Sequence, residues 1–457
     1  MEQKTFYINR RNFLKGSFAG LVLSSFGLYG FDLMHPTRTY KVGLIGTGWY
    51  GKSDLFRLLQ VTRAEVVSLC DVDENQLQAA AHLIQQPPFL QKKPRCYKDY
   101  KKMLAESELD IVLIGSPDHW HALQCIDALA AGAHVYVQKP ISVDVLEGEA
   151  MLAAAKKYQR TVQVGMQRRS TPHLIEAKNK IVDAGLLGKI SHAEMCCYYP
   201  MRANRNPVVQ QVPDFLDYDL WTGPAPLRPY DSLPHRGWWR AFMEYGNGIV
   251  GDMCVHMYDT VRWMLDLDWP QQVSSVGGIY LQKESKSNIS DTQTAVFEHP
   301  ELNCIWQHRT WGTPADPEYP WAFKLFGEHG TLSGSTHKYD FVPNNGTSPL
   351  HGEALYEREK YPEDVTEKDI ELHVASATRL HMLDFLNAIE TQTQPISNLR
   401  EGHISAASCI LANVAMDLGR PLVYDPKALI VKGDPAATAL LKRPYRSGWT
   451  HPLPEMF

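Results

Sequence analysis

The stretch Lys41–Lys52 reads K-V-G-L-I-G-T-G-W-Y-G-K and decides how the rest of the chain is interpreted. Its apolar residues predict a short buried strand, Val42–Ile45, and its glycines follow in the spacing G-x-G-x-x-G. The first glycine of such a motif permits a tight turn, the second lets the backbone approach a pyrophosphate, and the third lets a helix pack on the sheet. The helix predicted over Ser53–Gln60 would direct N–H groups and its positive dipole end at the phosphates.

An acidic residue follows at the position that a dinucleotide site requires. The next apolar strand, Glu65–Cys70, ends in Asp71, 20 residues beyond Gly51. A carboxylate there accepts hydrogen bonds from the adenine ribose and repels a 2′-phosphate, which favours NAD over NADP. The alternative is a tight turn in an α/β domain without a cofactor. The order of strand, glycines, helix, strand and acid favours the cofactor.

The composition is that of a globular protein. The 457 residues are 44% hydrophobic and 21% charged, with a net charge of −5, so the chain can bury a sizeable core in two or three domains. No run of Lys and Arg is long enough to indicate nucleic-acid binding. None of the eight cysteines forms a C-x-x-C pair, which argues against a disulfide framework or a zinc site.

The N-terminal segment predicts export. Arg10 and Arg11 precede an apolar run over Gly16–Phe31 that is short for a membrane span, an arrangement typical of a twin-arginine signal. An amphipathic helix or an uncleaved anchor is the alternative, and no later stretch is apolar enough to span a membrane. We expect a periplasmic or otherwise exported protein, anchored if the signal is retained. Because this pathway carries folded proteins, we also expect a tightly held cofactor.

The next elements predict parallel βαβ units. Strand Asp110–Gly115 leads into S-P-D-H-W-H at Ser116–His121, at the carboxyl end of a strand, where open α/β sheets place ligands. Strand His134–Val137 likewise ends in Q-K-P at Gln138–Pro140. Polar residues of both segments are therefore expected near the glycine loop.

Two histidines in this region raise the question of a metal. His119 and His121 stand two residues apart, beside Asp118. No recognisable metal-ligand spacing surrounds them, and such histidines more often make hydrogen bonds. We therefore expect no bound metal.

The second half of the chain begins with a predicted helix over Pro172–Leu187 and a strand over Lys189–Tyr199. The loop Pro200–Gly237 is too long for a compact domain unless it is functional, so we expect it to rim the active site. Trp238 and Trp239 follow it. Aromatic faces stack on sugar rings, but tryptophans are equally at home in cores.

A glycine-rich stretch then supplies an acid and a histidine. Gly246–Asp259 reads G-N-G-I-V-G-D-M-C-V-H-M-Y-D, and the helical pattern continues to Leu265. Asp252 and His256 are four residues apart and therefore share one face of a helix. Taken alone, such a pair is usually a surface pair or a capped turn.

The remainder predicts an antiparallel sheet followed by two helices. The expected strands are Gln272–Leu281, Thr292–Glu298, Leu302–Trp311 and Ala322–Phe326, and the expected helices are Ala375–Thr391 and Glu401–Leu418. Val342–Thr366 is expected to be irregular. Because helices cover one face of the sheet, its other face needs a partner, so we expect a homodimer or homotetramer.

Taken together, the motifs resemble the glucose–fructose oxidoreductase / inositol dehydrogenase (Gfo/Idh/MocA) family. The glycine loop, S-P-D-H-W-H, K-P and G-D-x-x-x-H-x-x-D occur in order, and three further stretches fit: Val162–Arg168, Leu220–Tyr230 and Leu418–Asp425. The resemblance implies an N-terminal Rossmann domain with a doubly wound parallel sheet. It also implies a C-terminal domain with a large, mostly antiparallel sheet covered by helices on one face. The domains are expected at 38–162 and 163–425, between a signal segment at 1–35 and a tail at 426–457.

The resemblance also implies roles for individual residues. His256 would be the acid/base, Asp252 would orient the imidazole or bind the reacting hydroxyl, and Lys139 would stabilise the developing alkoxide. The expected cofactor contacts are Gly46, Thr47, Gly48, Trp49, Tyr50, Gly51, Asp71, Ser116, Pro117, His119, His121, Gln138, Lys139 and Gln167. The expected substrate contacts are Arg168, Trp238, Trp239, Asp252 and His256.

One residue departs from the family pattern. Gln138 stands where the family usually has a glutamate before the lysine. An amide can hydrogen-bond but cannot neutralise a charge, so Lys139 would be held less firmly in its protonated state.

The expected function is that of an exported NAD(H)-dependent oxidoreductase acting on a hydroxyl of a sugar, glycoside or polyol by hydride transfer. An NAD-dependent glycosidase would use the same chemistry, oxidising the sugar transiently before elimination, hydration and re-reduction, with no net redox change. A non-catalytic sugar- or nucleotide-binding protein is the alternative from another class. The presence of Lys139, Asp252 and His256 argues against it.

Overall fold

The G-x-G-x-x-G stretch forms the first strand–turn–helix unit of the fold. The computed structural model describes residues 38–200, 202, 205–365 and 372–457, so the expected export signal lies outside the described residues. Strand β1 is Tyr40–Ile45 and helix α1 is Trp49–Val61. Gly46 has a φ of +84°, and a Cβ there would lie 2.5 Å from the backbone N of Ser116. The tight turn therefore requires glycine.

Five more strands join β1 in a parallel sheet. They are β2 Ala64–Cys70, β3 Arg95–Tyr97, β4 Ile111–Ile114, β5 His134–Val137 and β6 Val162–Val164. The helices between them are α2 Glu74–Leu83, α3 Tyr100–Glu106, α4 Asp118–Ala130 and α5 Val145–Tyr158. The sheet order β3-β2-β1-β4-β5-β6 reverses between β1 and β4, which opens a crevice at their carboxyl ends. The predicted Rossmann sheet is confirmed.

A second sheet of eight strands follows. They are β7 Ile190–Cys197, β8 Gln272–Gly278, β9 Thr292–His299, β10 Leu302–Arg309, β11 Trp321–Gly327, β12 Gly330–Ser335, β13 Lys338–Pro343 and β14 Leu350–Glu353. Their order is β14-β13-β12-β11-β7-β10-β9-β8, antiparallel except for the parallel pair β7–β10. This agrees with the large, mostly antiparallel sheet that the family resemblance implies.

Helices of this half pack on the second sheet. The helices of this part of the chain are α6 Pro172–Ala177, α7 Tyr218–Thr222, α8 Val255–Leu265, α9 Leu372–Thr391 and α10 Leu399–Leu418. Helices α8 and α10 pack on the sheet, while Val276 on β8 is 70% exposed. Within the described residues, no helix combines the length and apolar character needed to cross a bilayer.

Helix α9 packs on the first sheet instead. Its Phe385 and Leu386 share a core cluster with β1 and β2. Beside it, Arg57 of α1 pairs with Asp364 at 2.9 Å, and both side chains are buried. A helix that comes late in the chain therefore completes the packing of the nucleotide domain.

The C-terminal segment ends against the same domain. It contains β15 Tyr424–Asp425, β16 Ile430–Val431 and the short helix α11 Pro435–Ala439. His451 then pairs with Asp144, the N-cap residue of α5, at 2.7 Å. The tail is thus fixed to the helix that precedes β6.

Two local predictions are wrong. The helix expected over Pro172–Leu187 ends at Ala177 and passes into a π-helical turn, Lys178–Val182, which changes the hydrogen-bond pattern without a Gly or Pro signal. The expected irregular stretch Val342–Thr366 contains the end of β13 and all of β14. Strand β14 is an edge strand and largely exposed, so it shows no alternation of apolar and polar residues.

A buried ion pair fixes helix α8 to the start of the second half. The guanidinium of Arg169 donates two hydrogen bonds to the Asp259 carboxylate, one from Nε and one from Nη2, each 2.8 Å long. The same carboxylate accepts a 2.9 Å hydrogen bond from the hydroxyl of Ser405 on α10. Asp259, three residues beyond His256, therefore has a structural role, and α8 is held between two other segments.

We expect Asp259→Asn to lower the free energy of unfolding by about 3–5 kcal/mol, because it removes the nearest counter-charge of the buried Arg169 guanidinium and leaves it the more distant Glu401, at 3.3 Å. Urea unfolding of the purified protein measures this. Asp268→Asn is the control, since its pair with Arg400 is solvent-exposed and should contribute no more than about 1 kcal/mol. Equal losses in the two variants would contradict the assignment.

Candidate active site

A cleft of about 1090 Å³ lies at the carboxyl ends of β1, β2, β4 and β5, with walls from both halves of the chain. Ten of the expected cofactor contacts line it: Gly46, Gly48, Trp49, Tyr50, Asp71, Ser116, Pro117, His121, Gln138 and Lys139. All five expected substrate contacts line it as well: Arg168, Trp238, Trp239, Asp252 and His256. The structure therefore brings the two predicted sets together.

The glycine loop has room for a phosphate group. Among the described residues, no heavy atom lies within 4 Å of the place where a Cβ on Gly48 would stand. A Cβ on Gly51, in contrast, would lie 2.0 Å from the carbonyl oxygen of Gly46. The second glycine thus leaves its approach open and the third permits close packing of α1, which fits a bound dinucleotide.

Asp71 is held in place at the end of β2. Its Oδ2 accepts hydrogen bonds from the backbone N of Thr47 at 2.7 Å and from the Thr47 hydroxyl at 3.0 Å, and its Oδ1 accepts one from the N of Asp73 at 2.9 Å. Burial raises the pKa of Asp71 against these hydrogen bonds. A carboxylate offers about four lone-pair sites, so Asp71 keeps capacity for a ribose hydroxyl.

Four expected cofactor contacts do not line the cleft: Thr47, Gly51, His119 and Gln167. Thr47 orients Asp71, and the Nε2 of Gln167 donates to the hydroxyl of Tyr50. His119 Nε2 lies 3.1 Å from the carbonyl oxygen of Trp221, and burial lowers the pKa of His119 to about 3. The motifs place these residues near the site but do not show which way their side chains point.

His121 links the ends of two neighbouring strands. Its Nδ1 lies 2.7 Å from the Pro140 carbonyl oxygen and its Nε2 lies 2.8 Å from that of Ser116. Burial lowers the pKa of His121 to about 4. A neutral imidazole has one N–H donor, so one of the two carbonyl groups accepts a hydrogen bond from this ring.

An ion pair joins the two halves of the chain inside the cleft. Lys139, which follows β5, places its Nζ 2.6 Å from Oδ1 and 2.9 Å from the carbonyl oxygen of Asp252. The Nε of Arg240 donates to the same Oδ1 at 3.1 Å. Burial works to raise the pKa of Asp252, but Lys139 and then Arg240 outweigh it, so the net shift is downward. Asp252 is therefore ionised and orders two cations.

His256 is poised as a neutral base. It is 4% exposed, and its Nδ1 has no hydrogen-bond partner among the described residues. Burial, followed by the charges of Lys139, Arg168 and Arg240, lowers the pKa of His256 well below its ordinary value. The sequence suggested a pKa near neutrality and an imidazole oriented by Asp252. Instead, the ring is neutral and Asp252 binds Lys139.

Aromatic rings form a wall beside His256. The rings of Trp321 and His256 lie edge-to-face, with 5.5 Å between their centroids. The Arg168 guanidinium lies 5.3 Å from the centre of the Trp321 ring. Trp239 is buried beneath Arg240 at 4.0 Å, while Trp238 is only partly buried. Both tryptophans line the cleft.

Further polar and aromatic residues line the cleft although the sequence did not predict them as cofactor or substrate contacts. They are Asp73, Tyr100, Asp118, Trp120, Tyr199, Trp221, His235, Arg240, Trp321 and Trp449. Asp118 lies within the Ser116–His121 motif and Arg240 directly follows Trp239, so their positions in the sequence could have identified them. Trp321 and Trp449 come from distant segments and are two of eleven tryptophans. No local pattern distinguishes them.

The departure at Gln138 has a structural partner. Its Nε2 donates a 2.7 Å hydrogen bond to Oδ2 of Asp54 on α1. Burial raises the pKa of Asp54 to about 7, against the effects of this hydrogen bond and of Arg57. A glutamate at 138 would bring two carboxyl groups to this distance, so the amide suits Asp54. The expectation that residue 138 governs Lys139 is not supported, because Lys139 pairs with Asp252.

We expect Asp54→Asn to stabilise the fold increasingly as pH rises from about 4 to 7. Burial raises the pKa of Asp54 from 3.8 to about 7, so the stabilising contribution of its protonated form is complete below the lower value and is lost as pH rises through the higher one. Asparagine keeps an acceptor for Gln138. Melting temperatures of both proteins at several pH values measure the effect.

Gln138→Glu is the counterpart of that variant. We expect its melting temperature to fall more steeply with pH than that of the wild type, because it adds a second carboxyl group beside Asp54. The double variant with Asp54→Asn should recover most of the loss. Parallel pH curves for all four proteins would contradict the pairing.

The fold and the cleft define a protein of the NAD-binding Rossmann oxidoreductase class. A model of the oxidoreductase family, NAD-binding Rossmann fold, matches residues 40–166, and a model of the family's C-terminal alpha/beta domain matches residues 174–300 and 355–451. These matches cover more than half of the chain. The chain belongs to the Gfo/Idh/MocA oxidoreductase family.

Individual relatives agree with this assignment. The inositol 2-dehydrogenase of Salmonella paratyphi B is 31% identical over 155 residues, which is 33% of this chain and 44% of that protein. The alpha-N-acetylgalactosaminidase of Shewanella oneidensis is 26% identical over 219 residues, 43% of this chain and 47% of that protein. The chain thus matches less than half the length of these two curated relatives.

A solved structure shares the fold. The oxidoreductase from Agrobacterium radiobacter, in complex with NAD+, L-tartaric acid and magnesium, superposes with a TM-score of 0.63 at 15% identity. The match covers 84% of this chain and 98% of that chain. The likeness extends over both halves of the molecule.

Proposed function

We propose that this protein is an NAD(H)-dependent oxidoreductase acting on a hydroxyl of a sugar, glycoside or polyol. The observation that supports it most is the meeting of Lys139, Asp252 and His256 in the cleft that the glycine loop lines. When bound there, NAD supplies a hydride acceptor. The names of the two relatives agree with a polyhydroxylated substrate.

Each polar residue of the cleft has a distinct part in the proposal. An ammonium group has three N–H donors, and Asp252 takes two from Lys139, so one remains for a substrate oxygen. That donor would stabilise the negative charge on the oxygen as its proton leaves. The neutral His256 ring would accept the proton. Asp252 would hold Lys139 in position.

We expect His256→Ala to lower turnover by roughly two to four orders of magnitude while leaving NAD binding intact, because a general base contributes about that much. The assay follows turnover of myo-inositol or 4-nitrophenyl α-N-acetylgalactosaminide. His192→Ala, on the second sheet outside the cleft, is the control. In the wild type, activity should fall only well below the ordinary histidine pKa, since protonation of His256 removes the base.

The products decide between the two chemistries that share this site. Accumulation of NADH with myo-inositol supports a net oxidoreductase. Release of nitrophenol without net formation of NADH supports a redox-neutral glycosidase, which the galactosaminidase relative favours. Unchanged behaviour of His256→Ala in every assay would favour a non-catalytic binding protein.

We also propose that the cofactor stays bound between turnovers. Backbone hydrogen bonds join the loop at 200–237 to the residues that follow β2. The backbone N of Glu74 donates to the carbonyl oxygen of Phe215 at 2.9 Å, and the backbone N of Asp217 donates to that of Val72 at 3.0 Å. His235 Nε2 lies 2.9 Å from Oδ2 of Asp73. These contacts close the cleft beside Asp71, so they support slow release of a dinucleotide.

Mass spectrometry of nucleotide released from denatured protein tests this retention. We expect NAD to copurify with the wild type in a near-stoichiometric amount and to survive dialysis. His235→Ala should lose more of it, because the variant breaks a side-chain tie of the loop, whereas His192→Ala should not. Wild-type protein that purifies without nucleotide, and is active only with added NAD, would refute tight retention.

Export and assembly belong to the same proposal. Arg10, Arg11 and the apolar run after them support export by the twin-arginine route. Val276 and Leu281, exposed at one end of the second sheet, support association into a homodimer or homotetramer. An exported protein with a retained cofactor would have to return that cofactor to its starting redox state while it remains bound in the cleft.

A further inference from the structure

The buried carboxyl group of Asp118 has no place in the roles described so far. Asp118 opens α4, lines the cleft and is 2% exposed. Its Oδ1 has no hydrogen-bond partner among the described residues, and the cap position of the helix is Pro117, without a side-chain cap. Asp118 stands one residue inside that cap position, so it is not the N-cap residue of the helix.

The neighbouring cations donate hydrogen bonds to groups other than Asp118. Lys139 and Arg240 donate to Asp252, and Arg443 donates to the carbonyl groups of Met243 and Gly246. These three cations and Asp252 are the charged groups that face Asp118. An ionised carboxylate without a hydrogen bond is costly to bury. A proton on Asp118 removes that cost and makes the group a donor.

We propose that Asp118 carries a proton at neutral pH and donates a hydrogen bond to an oxygen of the substrate, which makes it a specificity-determining residue of the cleft. The inference rests on the proposed function. A carboxyl group that a poorly solvated site keeps neutral can act as such a donor. In agreement, burial raises the pKa of Asp118 well above its ordinary value; Arg240, Lys139 and Arg443 oppose this and Asp252 supports it.

The protonation state can be measured without a substrate. Infrared difference spectra of the wild type minus Asp118→Asn, at pH 7, should show the carbonyl stretch of a protonated carboxyl group, and that band should disappear as pH rises. If the difference spectrum shows an ionised carboxylate instead, the inference is wrong even if the enzyme is active. Circular dichroism and melting curves verify that the variant is folded.

The contact with substrate is tested with whichever of the two probes the wild type turns over. Asp118→Ala removes the donor and should lower kcat/KM by about tenfold, the upper range for one neutral hydrogen bond. Asp118→Asn keeps an N–H donor and should lose less. In the wild type, kcat/KM should decline as pH rises through the pKa of Asp118. This decline should be absent from Asp118→Asn.

Asp384→Asn is the matched control, because Asp384 on α9 is another carboxyl group with a raised pKa, outside the cleft. It should keep the decline at high pH. Unchanged kcat/KM in Asp118→Ala would show that the residue does not contact substrate. An Asp118→Asn enzyme as impaired as the Ala variant would make Asp118 a proton-transfer group and overturn the donor role. Absence of turnover in the wild type, with the infrared band present, would count against the proposed function and not against the protonated state.

Discussion

The ion pair between Lys139 and Asp252 is the constraint on which the site depends. The two groups lie 2.6 Å apart, both more than nine-tenths buried, and they come from opposite halves of the chain. Either charge left alone in that position would cost several kcal/mol. Each half therefore supplies the counter-charge that the other needs, and the cleft acquires its chemistry only when the strand ends of the first sheet meet the turn before α8.

The charges around this pair also determine the protonation states of Asp252 and His256. Lys139 and Arg240 keep Asp252 ionised despite its burial, and burial, followed by the charges of Lys139, Arg168 and Arg240, keeps His256 neutral. A cation that can stabilise a developing alkoxide thus stands beside a base that is free to take a proton. Lys139 and Arg240 lower the pKa of both groups, which favours an ionised carboxylate beside a neutral imidazole. Titratable groups with perturbed pKa values cluster at functional sites. The arrangement is more specific than the D-x-x-x-H spacing, which fixes only a shared helix face.

The sequence predicts this architecture where backbone requirements dictate residue type. Gly46 and Gly51 are required by contacts that any Cβ would break, and the run of apolar strands predicts the parallel sheet. Prediction fails where side-chain direction decides. Thr47 and His119 belong to the right motifs but face Asp71 and Trp221. Trp321 reaches the cleft only through the register of β11, which no local pattern encodes, and β14 gives no signal because it is exposed on both faces.

Gln138 shows how a departure from a family pattern can be absorbed. In a family with a carboxylate at this position, that carboxylate would lie next to the lysine in sequence, yet here the side chain turns to Asp54 of α1. The negative charge that Lys139 requires comes from Asp252 instead, and burial raises the pKa of Asp54 to about 7 against the hydrogen bond from Gln138 and the charge of Arg57. The loss of one acid before the lysine therefore leaves the cleft's cation paired. The change alters instead the protonation of a carboxyl group in the helix that starts at the glycine loop.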